Sequence, residues 1–253
     1  MIRPVHVVTT QGDGEEAAGS TVRSVTLGVP GAVVDVTAVE PLDTLAAGMW
    51  VARLALADGP PDRLVVHYVA GVDDDHDLWV GRTDSGVLVI GPNAGWSWSF
   101  AVDELHGPCH VDVPELGSHL HTRDVLHAAL AHLVAAHPHA IRAAVGRDQV
   151  PPVPESAVAC TDRHGNLETT IDRPPAKMGE RLTVRVGDVT APVTVAESRS
   201  AVADGELGLA AGPMSWPTRT GAEHRLLELF VRGGSAAERF GHPPSGAPVV
   251  ISA

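Results

Sequence analysis

Leu64-Val65-Val66-His67-Tyr68-Val69-Ala70-Gly71, with Leu78-Trp79-Val80-Gly81-Arg82, Val87-Leu88-Val89-Ile90 and Gly91-Pro92-Asn93-Ala94-Gly95 behind it, decides the fold of this chain. The first run is short, apolar and β-branched, which predicts a buried strand over 64–69. Residues 78–82 and 87–90 predict two more strands, joined by the turn-forming Asp84-Ser85-Gly86. Gly91 to Gly95 ends the pairing, and its glycines predict a bent, bare backbone that a ligand can approach.

Upstream, Val5 to Thr9 and Ala32 to Val36 read as strands and Ser20 to Gly28 as a helix. Leu42, Leu45, Ala46, Met49, Trp50 and Leu54 recur at helical spacing over Pro41 to Leu56. Strand, helix, strand, helix, strand is the pattern of a parallel sheet with crossover helices, in which ligands sit beyond the carboxyl ends of the strands. Downstream, Gly146 to Pro154 is a Pro-rich linker. Beyond it Ala157 to Cys160, Arg181 to Val186, Val189 to Val195, Leu226 to Val231 and Val249 to Ser252 read as short strands punctuated by Gly and Pro. The expected architecture is an α/β domain over 1–150 with a central, mostly parallel sheet. An antiparallel β-barrel-like domain follows over 157–253.

Composition narrows the function. A hydrophobic content of 44% describes a folded chain rather than a disordered one. No apolar run approaches the roughly 20 residues of a membrane-spanning helix. A formal net charge of −13 argues against nucleic acid or an anionic membrane as partner. The N-terminus turns acidic too soon for a signal peptide, and Cys109 and Cys160 form no C-x-x-C motif. A cytoplasmic protein with a small-molecule partner is the expectation. The histidines between His106 and His139 invite a metal reading, but His127 and His132 point about 140° apart on a helix, and no H-E-x-x-H pair is present. No metal is expected.

Several of these segments resemble the S-adenosylmethionine (SAM) hydroxide adenosyltransferases and the related SAM-dependent fluorinases and chlorinases. Val65 to Gly71 aligns with V-V-D-P-G-V-G, Gly91 to Gly95 with G-P-D-N-G, and Val33-Val34-Asp35-Val36-Thr37 with I-V-D-I-T. Leu120-His121-Thr122-Arg123-Asp124 is similar to F-H-G-R-D, and Asp162-Arg163-His164-Gly165-Asn166-Leu167 to D-R-F-G-N-L. Leu227-Glu228-Leu229-Phe230-Val231-Arg232-Gly233-Gly234 is similar to L-E-I-A-V-N-G-G. The ordered set spans nearly the whole chain.

The resemblance implies SAM or a related nucleoside as substrate, no further cofactor, and attack at the 5′ carbon by water or another nucleophile. It also implies a homotrimer with each site shared between the N-domain of one subunit and the C-domain of its neighbour. Carried over residue by residue, the catalytic positions are His67 and His121. The substrate-binding positions are Thr10, Asp35, Tyr68, Asn93, Thr122, Asp162, Asn166, Arg232 and Gly233. The chain departs from the pattern where the chemistry lies. Thr10 stands for the Asp that holds the ribose, His67 for the Asp of the water-activating triad, and Asp73 to Asp77 where an Arg is expected. The alternative reading is therefore a repurposed or non-catalytic relative that binds a different small molecule in its interdomain cleft. Trp96 and Trp98 offer flat surface for such a ligand, or else pack in the core.

Overall fold

The structure, a computed structural model, describes residues 3–9, 22–23, 25–69, 78–111, 130 and 141–253. The chain divides into two compact units, Met1–Pro152 and Val153–Ala253.

The N-terminal unit is built on β1 (Arg3–Thr9), β2 (Ala32–Ala38), α1 (Thr44–Leu56), β3 (Leu64–Tyr68), β4 (Leu78–Arg82), β5 (Leu88–Pro92), β6 (His106–Val111) and β7 (Ile141–Ala144). These strands form one sheet in the order β2-β1-β3-β5-β4-β6-β7. β1 pairs in parallel with β2 and β3, and β3 with β5, as the strand–helix–strand pattern predicts. The other half runs antiparallel: β4 with β5 and β6, and β6 with β7. The sheet is thus mixed rather than mostly parallel. The cause is the turn at Asp84-Ser85-Gly86, where Gly86 adopts φ 89° and the backbone N–H of Gly86 donates to the Thr83 carbonyl. So tight a connection joins only antiparallel neighbours.

Asp43 starts α1 by accepting the backbone N–H of Ala46 at 2.9 Å, so the helix begins three residues later than the apolar spacing predicts. Gly48 lets the helix meet the following turns closely, since a Cβ there would lie 2.2 Å from the Trp96 carbonyl oxygen. At the other end Arg63, 3% exposed, folds its guanidinium onto the orphan carbonyls of the helix terminus. It donates to Leu54 O at 2.8 Å, Pro60 O at 3.0 Å, Ala55 O at 3.1 Å and also Ala57 O. A lysine keeps the charge but not the fork. Arg63→Lys is therefore expected to lower the unfolding free energy by about 2 kcal/mol in urea denaturation, since bonds from a charged donor contribute about 1.5–3 kcal/mol. A loss below about 0.5 kcal/mol would show that the fork contributes nothing.

The C-terminal unit contains β8 (Val158–Thr161), β9 (Leu167–Thr169), β10 (Arg181–Val186), β11 (Val189–Val195), β12 (Leu207–Pro217), β13 (Glu223–Val231), α2 (Ala236–Arg239) and β14 (Val249–Ser252). Its sheet runs β14-β10-β11-β12-β13-β9-β8, and an antiparallel bridge between Ala157 and Pro248 links the two outer strands, so the sheet nearly closes. Leu167, Leu209, Leu229, Val158 and Val184 fill its core. One pairing departs from the expected antiparallel pattern. β11 and β12 are parallel, because the connection over 196–206 is long enough to cross over. β9 and β12 were not expected from the sequence at all. Among the described residues no helix is long and apolar enough to cross a membrane.

Candidate functional site

The carboxyl ends of the parallel strands carry the first group of expected site residues. His67 is fully buried. The pairing Val66 to Ile90, continued by one residue, sets His67 beside Gly91, and Gly91 is paired with Trp79 and Trp79 with His110. One row across the sheet therefore reads His67, Gly91, Trp79, His110. Trp98 covers it, with its ring 5.3 Å from His67 in a T-shaped contact and 5.8 Å from Trp79. The Trp98 indole N–H donates to Pro92 O at 3.0 Å, which fixes the ring. Neither His67 nitrogen has a hydrogen-bond partner among the described residues. Burial pulls the His67 pKa down to about 3, so the ring is neutral across the physiological range.

Asp35 lies exposed on the edge strand β2, 3.5 Å from the imidazole of His6. Tyr68 packs against the apolar cluster of Val5, Val7 and Val66. Asn93 donates its side-chain N–H to Gln149 O at 3.2 Å. Trp98 belongs to the core, while Trp96 is half-buried. Thr10, His121 and Thr122 lie outside the described residues, as do Asp73 to Asp77 and, apart from the buried, helical Leu130, the helix expected over Arg123 to Ala136.

In the C-terminal unit the expected pair Asp162 and Asn166 comes together as a turn. One Asp162 oxygen accepts the backbone N–H of His164 at 2.8 Å and of Asn166 at 2.9 Å. The other accepts the Asn166 amide N–H at 2.8 Å. The turn forms because an Asp side chain caps backbone donors just ahead of it. Two more carboxylates stand beside it. Glu168 on β9 faces Glu228 on β13 in direct cross-strand register, and both are buried. Oxygens of Asp162, Glu168 and Glu228 all lie within 4.8 Å of one another, a spacing that one cation can span. Arg199 supplies part of the countercharge with a bidentate grip on Glu228, at 2.9 and 3.0 Å from one guanidinium nitrogen and 3.1 Å from another. Burial nevertheless holds the Glu228 carboxyl above the ordinary range, against the pull of Arg199.

Arg232 and Gly233 follow β13. The Arg232 guanidinium donates to Ser200 O at 3.2 Å and Val202 O at 2.8 Å and pairs with Asp204 at 2.7 Å. Gly233, at φ 73°, forms the turn after β13. Glu168, Glu228 and Arg199 were not expected as site residues. The resembling segments quoted above contain Glu228, but strand pairing, which sequence spacing does not reveal, is what sets it against Glu168.

No family model and no curated protein matches the chain. Solved structures do. An uncharacterized conserved protein from Thermotoga maritima superposes with a TM-score of 0.72 at 22% identity, over 98% of this chain and 100% of that one. A conserved hypothetical protein from Thermus thermophilus gives 0.68 at 24% identity, over 99% and 100%. At these identities the likeness establishes a shared fold across the whole chain.

Proposed function

We propose that this protein is a divergent relative of the SAM hydroxide adenosyltransferases that binds SAM or a related cationic nucleoside and acts at its 5′ carbon. The observation that carries the reading is the formed Asp162–Asn166 turn, which in the resembling family holds the methionine end of SAM, with Glu168 and Glu228 beside it. A surplus of carboxylates at close range suits an ammonium or sulfonium group better than a neutral one. A base for water or another acceptor then falls to His121, because the sealed, neutral His67 reaches no solvent. The same resemblance supports a cytoplasmic homotrimer, which sedimentation can read.

The burial of His67 also favours a second reading, in which the fold is kept, the transfer is lost and a different small molecule is bound. Calorimetric titration separates the two. SAM is expected to bind at least tenfold more tightly than its uncharged thioether, S-adenosylhomocysteine. Asp162→Asn, which still caps the turn through its amide oxygen, is expected to weaken SAM about tenfold, the difference between a charged and a neutral hydrogen bond. Adenosine and methionine should accumulate on incubation. SAM bound without products selects a non-catalytic relative, and no heat with SAM overturns SAM recognition altogether.

A further inference from the structure

Four side chains in the segment after β5 hold the backbone by which the chain leaves the N-terminal unit. Asn93 donates to Gln149 O at 3.2 Å, Ser99 Oγ to Pro151 O at 2.8 Å, and the Trp96 indole N–H to Pro152 O at 3.1 Å. Asp103 pairs with Arg147 at 3.1 Å, and Arg147 in turn donates to Val150 O at 2.7 Å. The segment is itself anchored. The backbone N–H of Trp96 donates to Thr44 Oγ1 at 3.2 Å, at the start of α1, and Trp98 is buried against the sheet.

Chemistry explains why side chains do this work. Pro151 and Pro152 have no N–H, so a sheet ladder cannot hold them, and only their carbonyls are available. Side-chain donors such as an indole and a hydroxyl meet that need, and prolines already fixed in φ lose little freedom on docking. The C-terminal unit takes hold of the chain again at once. Ser156 Oγ and Ser156 O bond with Val249, and the Ala157 N–H donates to Thr170 Oγ1 at 2.9 Å. Among the described residues, no hydrogen bond to either unit comes from the intervening Val153, Pro154 and Glu155.

We propose that Asn93, Trp96, Ser99 and Asp103 form a clasp on the exit segment Arg147–Pro152, and that the clasp confines articulation of the linker to Val153-Pro154-Glu155. Pro154 stiffens even that remainder, since it fixes its own φ and holds Val153 extended. The clasp concerns chain geometry and does not rest on SAM recognition.

Hydrogen exchange on the full chain tests it. Trp96→Phe with Ser99→Ala removes both donors and keeps the indole's flat bulk. Exchange at the amides of Gln149 and Val150, both hydrogen-bonded within the clasped segment, and tryptic cleavage after Arg147, are expected to rise at least tenfold, while Val65 and Val66 in β3 stay as in the parent. Unchanged exchange at Gln149 and Val150 overturns the clasp. An equal rise in β3 also overturns it, because the segment is then core rather than clasp. Ser99→Ala alone is expected to give an intermediate rise at the same two amides, and its failure to do so counts against the proposal in the same way.

Discussion

Gly91→Ala is expected to destabilise the N-terminal unit by about 3 kcal/mol, at the upper end of what overpacking a tight core costs. A Cβ at Gly91 would lie 2.3 Å from both the Cδ2 and the Nε2 atoms of His67. That ring cannot retreat, because Trp98 stands against it and is tied to Pro92. Gly91 does not carry a positive φ, so the backbone accepts alanine and the loss is one of space alone. Gly81→Ala is the control. Its Cβ would meet Leu105 Cδ1 at 2.8 Å, the end of a flexible side chain, so a loss below about 1 kcal/mol is expected. In the double variant His67→Ala, Gly91→Ala the clash is gone, and a coupling of at least about 1 kcal/mol should appear in the mutant cycle. Denaturation midpoints of the four proteins of the cycle and of the Gly81→Ala control decide the matter, and Gly91→Ala within about 0.5 kcal/mol of the parent would sink the packing account.

Gly91 also illustrates which parts of the molecule were legible in its sequence. The strands at 3–9, 64–68, 78–82 and 189–195 are, because β-branched runs flanked by turn residues leave the backbone few other choices. β12, which reads Leu-Gly-Leu-Ala-Ala-Gly-Pro-Met-Ser-Trp-Pro, is not. Its small residues earn their place only against neighbours such as Phe230, whose ring would meet a Cβ at Gly208 at 2.3 Å. Glycines at 91 and 95 looked like open backbone for a ligand. Only the strand register shows that Gly91 makes room for His67. The Asp162–Asn166 turn was legible because its hydrogen bonds are local. The facing of Glu168 and Glu228 was not, because antiparallel pairing of distant strands creates it. The partners of Arg232 were not legible for a similar reason, since its acceptors at 200–204 come from a crossover that the sequence does not announce.

Acid is expected to unlock the N-terminal unit through His67. Unfolded, this histidine titrates near 6.5, while folded it titrates at about 3, because burial strips water from the charged form, with Gly91 and the Trp98 ring packed against it. Below about pH 6.5 the unfolded chain therefore binds a proton that the folded chain refuses. The stability contributed by a neutral His67 is complete above that pH and drains away as pH falls towards 3. The linkage relation puts the loss at about 2 kcal/mol by pH 5, from this one residue. His67→Leu, of similar size and with no proton to bind, is expected to lack that part of the acid slope. Above neutral pH it should equal or exceed the parent, since two buried nitrogens without partners are removed. Urea midpoints of both proteins between pH 8 and pH 5 provide the comparison, and parallel curves would refute the sealed-histidine description. The same quantity bears on catalysis. A base must carry a proton in the transition state, and at pH 7 His67 lies about 4 pKa units below that, a penalty of about 5 kcal/mol. Turnover that survives His67→Leu would then belong to another residue, and loss of turnover in a variant that still folds and still binds SAM would return His67 to the reaction.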